Sequence, residues 1–349
     1  MGRVWEVFIL EKKKMPLAAK ICIGIVAVLV IGGLGAWMFI NGKLNLINRI
    51  IDTGRINASE ETFEAGENNG GEVIDEKDVD LNEDDVKTFT AADVKNILLI
   101  GNDGRTATEK GTRSDTMMIC SINTKTKEIK LTSLLRDTYV AIPGFSKNRL
   151  NAAHAFGGVS LLDETIEKNF GIHIDGNFAV NFESFVEALT EVGEVEVELS
   201  QSEANAINRE GGFHVKAGKV SLKPEEALMY VRIRHTGGGD WERTERQRKF
   251  IMAAFNKVKS LSLSDMMSLA NKVLPCLATD LSNGTILSYI TEVGTGGYKL
   301  GETLRIPVDG AWKYAMINEY MAVVLPDLQK NASALQEFIY GQSAETAQN

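Results

Sequence analysis

The chain has 349 residues, 44% of them hydrophobic and 24% charged, and a formal net charge of -9. That composition supports a packed core and confines any disorder to segments, and the acidic balance excludes the usual nucleic-acid binder, which needs a surplus of Lys and Arg. Cys22, Cys120 and Cys276 are too widely spaced for a disulfide framework or a CxxC metal pattern, and His154, His173, His214 and His235 form no HExxH or other close pair that would hold zinc.

Residues 21–40 are uncharged and mostly apolar. As a helix rising ~1.5 Å per residue they would cover the roughly 30 Å hydrocarbon core of a bilayer. Arg3, Lys12, Lys13, Lys14 and Lys20 precede the run, against Lys43, Arg49 and Arg55 after it, a bias that places the N-terminus in the cytoplasm and the rest outside. A cleaved signal peptide would have an apolar region of only about 7 to 15 residues and an A-x-A-like site, so an uncleaved anchor is expected. From Glu60 to Asp85 there are twelve acidic side chains against one Lys. Such a segment buries too little apolar surface to offset its ordering entropy. The expected organisation is a cytoplasmic segment 1–20, a transmembrane helix 21–40, a largely disordered acidic linker 41–90, a folded domain 91–340 and a disordered tail 341–349.

Within the domain, residues 94–100, 113–122 and 128–135 read as strands, and 194–199 alternates acid and aliphatic as a half-buried strand does. Helices are expected over 160–170, 182–192, 224–229, 240–260, 265–273 and 312–325. Mixed strands and helices predict an α/β sandwich with a central sheet.

The chemistry-bearing residues fall in three groups. Asp103 and Arg105, then Arg113 and Asp115, flank the loop between the first two strands. Carboxylates beside arginines suit a site that holds a hard cation with anionic oxygens, and they equally suit ordinary loop salt bridges. Arg136 with Asp137, and Arg149 with Asn151, follow the third strand; taken alone they read as a solvated edge. The densest group is residues 230–249. Arg232 and Arg234 alternate with Val231 and Ile233, so an extended strand would aim both guanidinium groups at one face. Asp240 is placed as a helix N-cap, and Arg243, Arg246 and Gln247 share the spacing of one helical face. Arginines in the first turns of a helix oppose its dipole unless an anion sits among them, and Arg matches phosphate oxygens in a planar, two-pronged geometry. The pattern points to phosphate binding. P-loop and GxGxxG patterns do not occur.

NILLIGNDGR, TRSDTMM, SLLRDTYVAIPG, RLNAAHAFGG and YVRIRHTGGGDWERTERQRKF stand in this order over most of residues 95–250. Together they resemble the successive motifs of the LytR-CpsA-Psr family. The resemblance implies an α-β-α sandwich with a central mixed sheet, and a phosphotransferase outside the cytoplasm. Such an enzyme moves a glycopolymer, of teichoic acid or capsule type, from a polyprenyl pyrophosphate carrier in the membrane onto peptidoglycan. It implies Mg²⁺ or Mn²⁺ on Asp103 and Asp115, and a pyrophosphate clamp of Arg113, Arg136, Arg232, Arg234 and Arg243. Gln247 would lie beside the clamp, Asp240 would support the turn, and Arg105, Arg149, Asn151 and Arg246 would line the substrate. The lipid tail would occupy an apolar tunnel. Alternatives are a lipid pyrophosphate hydrolase built on the same clamp, or a non-enzymatic membrane receptor or transcription attenuator, for which about twenty cytoplasmic residues leave no room for a DNA-binding motif. The sequence departs from the family pattern at Leu135, where Pro is usual, at Arg149, where Lys is usual, and at Arg248, where a second Gln often follows Gln247. The extra cation at Arg248 suits an anionic ligand.

Overall fold

Short apolar runs build one mixed sheet, and the site grows from the C-terminal end of its central strand. The computed structural model describes residues 40–50, 54–57, 70–102, 104, 111–233 and 239–342, and the chain divides into two units, Met1–Asn45 and Leu46–Asn349. The second unit begins with the short strands β1 (Asn48–Arg49) and β2 (Glu72–Ile74). Long strands β3 (Val94–Asn102), β4 (Ser114–Asn123) and β5 (Glu128–Leu134) follow, then β6 (Tyr139–Val140), β7 (Asn148–Arg149) and helix α1 (Leu150–Phe170). The middle of the chain runs through β8 (Gly176–Asn181), α2 (Phe182–Val192), β9 (Val195–Leu199), α3 (Gln201–Gly211), β10 (Gly218–Leu222), α4 (Pro224–Arg232) and α5 (Gly239–Lys259). It closes with α6 (Leu263–Val273), β11 (Ala278–Thr279), α7 (Asn283–Thr295), β12 (Lys299–Ile306), the hairpin β13 (Trp312–Ile317) and β14 (Met321–Pro326), and α8 (Leu328–Tyr340).

The main sheet has the order β1-β11-β8-β3-β4-β5-β12. Central β3 runs antiparallel to β4 and parallel to β8, and β12 runs parallel to β5. Successive strand residues face opposite sides, so the sheet feeds separate layers. Leu98, Ile100, Met117, Ile119 and Leu134 join Phe156, Leu161, Ile166 and Leu335 of α1 and α8 in the main core, while Cys120, Ile122 and Ile129 pack towards Phe255 of α5. Full burial of each such side chain contributes ~1.5 to 3 kcal/mol. A further core joins α2, α3, α4, α5, β9 and β10 around Leu189, Ile207, Tyr230 and Phe250. The result is the expected α/β architecture with a central mixed sheet.

Four sequence expectations need correction. Residues 312–325 form a hairpin and not a helix: Ile317 pairs with Met321 across a turn in which Asn318 and Glu319 hold positive φ, and Ala315, Ile317, Met321 and Val323 bury into the main core. Strand pairing there hides backbone and apolar surface together. Arg232 ends α4 and does not lie on a strand; Arg234 lies outside the described residues. The helix expected from residue 160 starts at Leu150 and bends where Gly158 adopts φ 64° and ψ -154°, a conformation that only glycine enters readily. The chain also enters the fold before residue 91. β2 pairs with β13, and Val79 and Leu81 are buried in the main core, because these two aliphatics give the acidic stretch enough apolar surface to dock. Nearly all of the expected membrane span, 21–40, lies outside the described residues, among which no helix is long and apolar enough to cross a membrane.

One polar cluster in this frame titrates near neutrality. Asn177 of β8 donates through Nδ2 to both Asp163 of α1 and Asp280, at 2.7 Å each. Burial pushes the Asp163 carboxyl from 3.8 up to about 7, opposed by the Asn177 hydrogen bond and helped by the charges of Asp280 and Glu167. The folded state therefore holds a proton that the unfolded chain releases, and stability present below about pH 4 is lost as pH rises through about 7. Asn at position 163 keeps the acceptor and adds a donor for the buried Asn177 Oδ1. Asp163→Asn should raise the urea midpoint at pH 8 and change it little at pH 4.5; equal shifts at both pH values would contradict this assignment.

Candidate functional site

Two local features bring charged residues to the C-terminal end of β3. The register of β3 on β4 pairs Gly101 with Thr116 and Asn102 with Ser114, so Asp115 is the extra residue of a β-bulge. A bulge breaks the alternation of side chains, which lets the neighbours Asp115 and Thr116 both serve α5. The pairing also needs Gly101: a Cβ there would lie 3.0 Å from the Thr116 Cβ. The second feature is α5, whose first turns carry Asp240, Arg243 and Gln247 at i, i+3 and i+7.

Arg136, just past β5, is the hub. Its Nη1 donates to Asp115 Oδ1, its Nε lies 3.1 Å from Asp240 Oδ2, and Asp137 Oδ2 is 3.5 Å away. Burial works against the Arg136 charge, but Asp137, Asp240 and Asp115 more than offset it and raise its pKa above the ordinary value. Arg243 Nη2 reaches Asp240 Oδ2 and the Asp115 carbonyl, both at 3.3 Å. Arg149 sits 3.7 Å from Asp137 and donates to the Ala322 carbonyl at 2.8 Å. Burial pushes the Asp137 carboxyl above its usual range although Arg136 and Arg149 pull it down. Three guanidinium groups are thus interleaved with three carboxylates, and Arg136 can exchange a carboxylate for another anion without losing all of its partners.

Beside this cluster opens a cavity of about 370 Å³, lined chiefly by apolar side chains such as Leu99, Phe178, Leu228, Val231, Phe250 and Ile251. Arg232, Gln247, Thr116 and Asn181 supply its polar groups. Gln247 Nε2 donates to Thr116 Oγ1 at 2.9 Å. Cavity and charge cluster are therefore contiguous, through adjacent residues of β4 and through Arg243 and Gln247 one helical turn apart on α5.

The structure brings together Asp115, Arg136, Asp240 and Arg243, with Arg149 behind Asp137, and sets Arg232 and Gln247 at the cavity. Arg113 is half-buried immediately before β4, and Asn151 contributes its backbone N–H to the Arg136 carbonyl at 3.2 Å. Asp103, Arg105 and Arg234 lie outside the described residues. Arg246 does not share the face of Arg243 and Gln247. It is buried with Nη2 on the Ile233 carbonyl and Nη1 3.3 Å from Glu242 and 3.7 Å from Glu203, so it braces α4 and α3 against α5. The sequence read Asp137 only as part of a solvated edge and singled out neither Thr116 nor Asn181. Asn181 caps α2 by accepting from the Ser184 N–H at 2.8 Å and also lines the cavity. Its position before a predicted helix was the available signal; for Thr116, which needs the bulge, there was none.

Side chains of Arg136 and Asp240 are 21% and 17% exposed, so their pairing should be worth more than a surface ion pair. A double-mutant cycle of Arg136→Met with Asp240→Leu should give a coupling of about 1 to 3 kcal/mol in urea unfolding. The same cycle on the exposed helical pair Glu245 and Lys249 should give about 0.5 kcal/mol or less. Equal couplings would show the hub to be no more than surface charge.

Known proteins resemble this chain in sequence and fold. A teichoic acid transferase TagU of Enterococcus faecalis, named as acting between polyisoprenyl-teichoic acid and peptidoglycan, is 40% identical over 185 residues; the match covers 52% of this chain and 58%, under two thirds, of that protein. The TagU of Oceanobacillus iheyensis is 32% identical over 260 residues, covering 70% of this chain and 78% of its own length. A solved structure described as the LytR-CPS2A-psr family protein YwtF (TagT) with bound octaprenyl pyrophosphate lipid superposes with a TM-score of 0.56 at 26% identity, covering 73% of this chain and 94% of that one. The sequence profile of the LytR_cpsA_psr family matches residues 56–337, well over half of the chain, and the protein belongs to the LytR-CpsA-Psr family.

Proposed function

We propose that this protein is a phosphotransferase that moves a glycopolymer from a polyprenyl pyrophosphate carrier onto peptidoglycan, acting outside the cytoplasm from an N-terminal membrane span. The carrying observation is the contiguity of an apolar cavity with an arginine and carboxylate cluster, which matches the two halves of a prenyl pyrophosphate. The tail fits the apolar side formed by Leu228, Val231 and Phe250, and the pyrophosphate fits the polar side, where Arg232, Arg243 and Arg136 stand. Relatives named as teichoic acid transferases and a relative holding octaprenyl pyrophosphate support this reading, and of the two polymer classes they favour teichoic acid.

Phosphoryl transfer rests mostly on positioning and charge neutralisation. Arg136 and Arg243 would turn from their shared Asp240 to phosphate oxygens, and Arg232 would meet the leaving prenyl phosphate at the cavity mouth. Gln247, fixed by Thr116, would orient the phosphate over the tail. The donor set also fits Mg²⁺ or Mn²⁺. Asp115 offers a carboxylate now balanced by Arg136, and Asp103 would be the second. An ion held by these two carboxylates would keep water and phosphate oxygens as most of its ligands. When bound, that ion would neutralise charge on the phosphates. Asp115→Asn should leave the protein folded and weaken the dependence of prenyl pyrophosphate binding on Mg²⁺; an unaltered metal titration would remove Asp115 from the site.

Turnover gives the sharper test. Arg232→Ala and Arg243→Ala should each lower single-turnover transfer from a lipid-linked donor by about 100- to 1,000-fold, and Lys at either position should recover only part, because it cannot span two oxygens. Leu228→Trp, which narrows the cavity, should weaken donor binding with the melting curve kept. Near-normal turnover in folded Arg232→Ala and Arg243→Ala proteins would sink the reading. Release of the polymer to water, with acceptor present and left unmodified, would make the protein a hydrolase.

A further inference from the structure

A second stripe of α5 is not used by the clamp. Trp241 and Arg248 lie two turns apart on it, ~10 Å along the axis, with Thr244 between them, and the stripe faces β12 and the start of β13. There the aromatic rings form a row: Trp241 and Trp312 have centroids 4.4 Å apart, Tyr314 meets Trp312 edge-on at 5.0 Å, and Trp241 Nε1 donates to the Tyr314 hydroxyl at 2.9 Å. Tyr314 ends the row and is 39% exposed. Arg305 of β12 stacks on Trp241 with its Cζ 4.3 Å from the ring centre.

Arg248 is the anomaly. It is only 7% exposed, yet its Nε and Nη1 are buried without a hydrogen-bond partner, as is the Oγ of Ser133, the register neighbour of Arg305 in β5. Burial pushes the Arg248 guanidinium down to about 10; the Glu245 charge opposes this, and the nearby Arg305 charge, a smaller effect, adds to it. The anionic partner of Arg305 is Asp309, 91% exposed and thus readily exchanged. Two close guanidinium groups with buried N–H donors left over call for an anion. Aromatic faces next to them suit the C–H faces of a sugar ring, and the whole stripe adjoins Asp240 and Arg243 of the clamp.

We propose that Trp312, Tyr314, Arg305 and Arg248 form a subsite for an anionic saccharide, with the sugar on the aromatic row and its acidic group between the two arginines. The subsite rests on the transferase reading for its purpose, and it would hold either the acceptor glycan or the first acidic unit of the polymer close to the pyrophosphate. Position 248, where the family pattern carries Gln, would then set the preference for acidic over neutral sugars.

The test is saccharide binding by the full chain in detergent, followed by tryptophan fluorescence in the absence of any donor. Three probes are used: an N-acetylated amino-sugar disaccharide bearing a carboxylate, its neutral counterpart chitobiose, and the same disaccharide bearing a phosphate monoester. At least one acidic probe should bind about tenfold more tightly than chitobiose. A winning carboxylate disaccharide assigns the subsite to the acceptor, and a winning phosphate disaccharide assigns it to the polymer. Arg248→Gln should erase the acidic preference, and Tyr314→Ala, a change at an exposed ring, should weaken all saccharides. An acidic preference that survives in Arg248→Gln, or equal binding of acidic and neutral probes by the unaltered chain, would overturn the proposal. Farnesyl pyrophosphate binding is measured on the same samples. Its failure with the saccharide preference intact would sink the transferase reading and leave the subsite standing.

Discussion

A guanidinium withdrawn from water has to be neutralised, and the arrangement of this domain around Arg136 follows from that demand. Three carboxylates answer it from three places in the chain: Asp115 in the bulge of β4, Asp137 beside the arginine itself, and Asp240 at the start of α5. Removing one partner of a buried pair costs far more than the pair gains over an apolar substitute. The network therefore holds the loop after β5, the end of the sheet and α5 in one geometry.

Placement of α5 then decides the rest. One stripe of the helix presents Arg243 to the hub and Gln247 and Ile251 to the cavity. A second presents Trp241 and Arg248 to β12 and β13. A third sets Arg246 against the Ile233 carbonyl and Glu203. A single helix thus joins the apolar cavity, the charge cluster and the aromatic row, and small changes in its seating would move all three together. Arg246 has this structural duty: it is buried where α3, α4 and α5 meet, far better placed to fix the helix than to meet a ligand.

Legibility differed by the range of the interaction. Helix α2 was read at its observed ends because its apolar periodicity stops locally at Gly193, and β3, β4 and β5 were read within a residue or two because their short apolar runs are bounded by glycine and polar turns. The β13–β14 hairpin was misread as a helix, since Trp312, Ala315, Met316 and Val323 fit a helical face about as well as a pleat, and only pairing with β2 breaks the tie. The early entry of the chain was missed because twelve acids outweigh Val79 and Leu81 in composition, whereas burial is decided by those two side chains.

By itself the sequence determined the α/β class, the order of the motifs and the residue types of the charged cluster, because periodicity, caps and the density of arginine are local properties. The structure alone decided which of those arginines share carboxylates, that Arg246 turns away, that Asp115 sits in a bulge, and that a cavity opens beside the cluster. These depend on register and on helix packing, where residues more than a hundred positions apart, such as Arg136 and Asp240, meet only once the sheet has formed. The same holds for Arg248: its neighbours on α5 are legible in the chain, but its burial against β12 and β5, with donors left over, is a property of the folded layers.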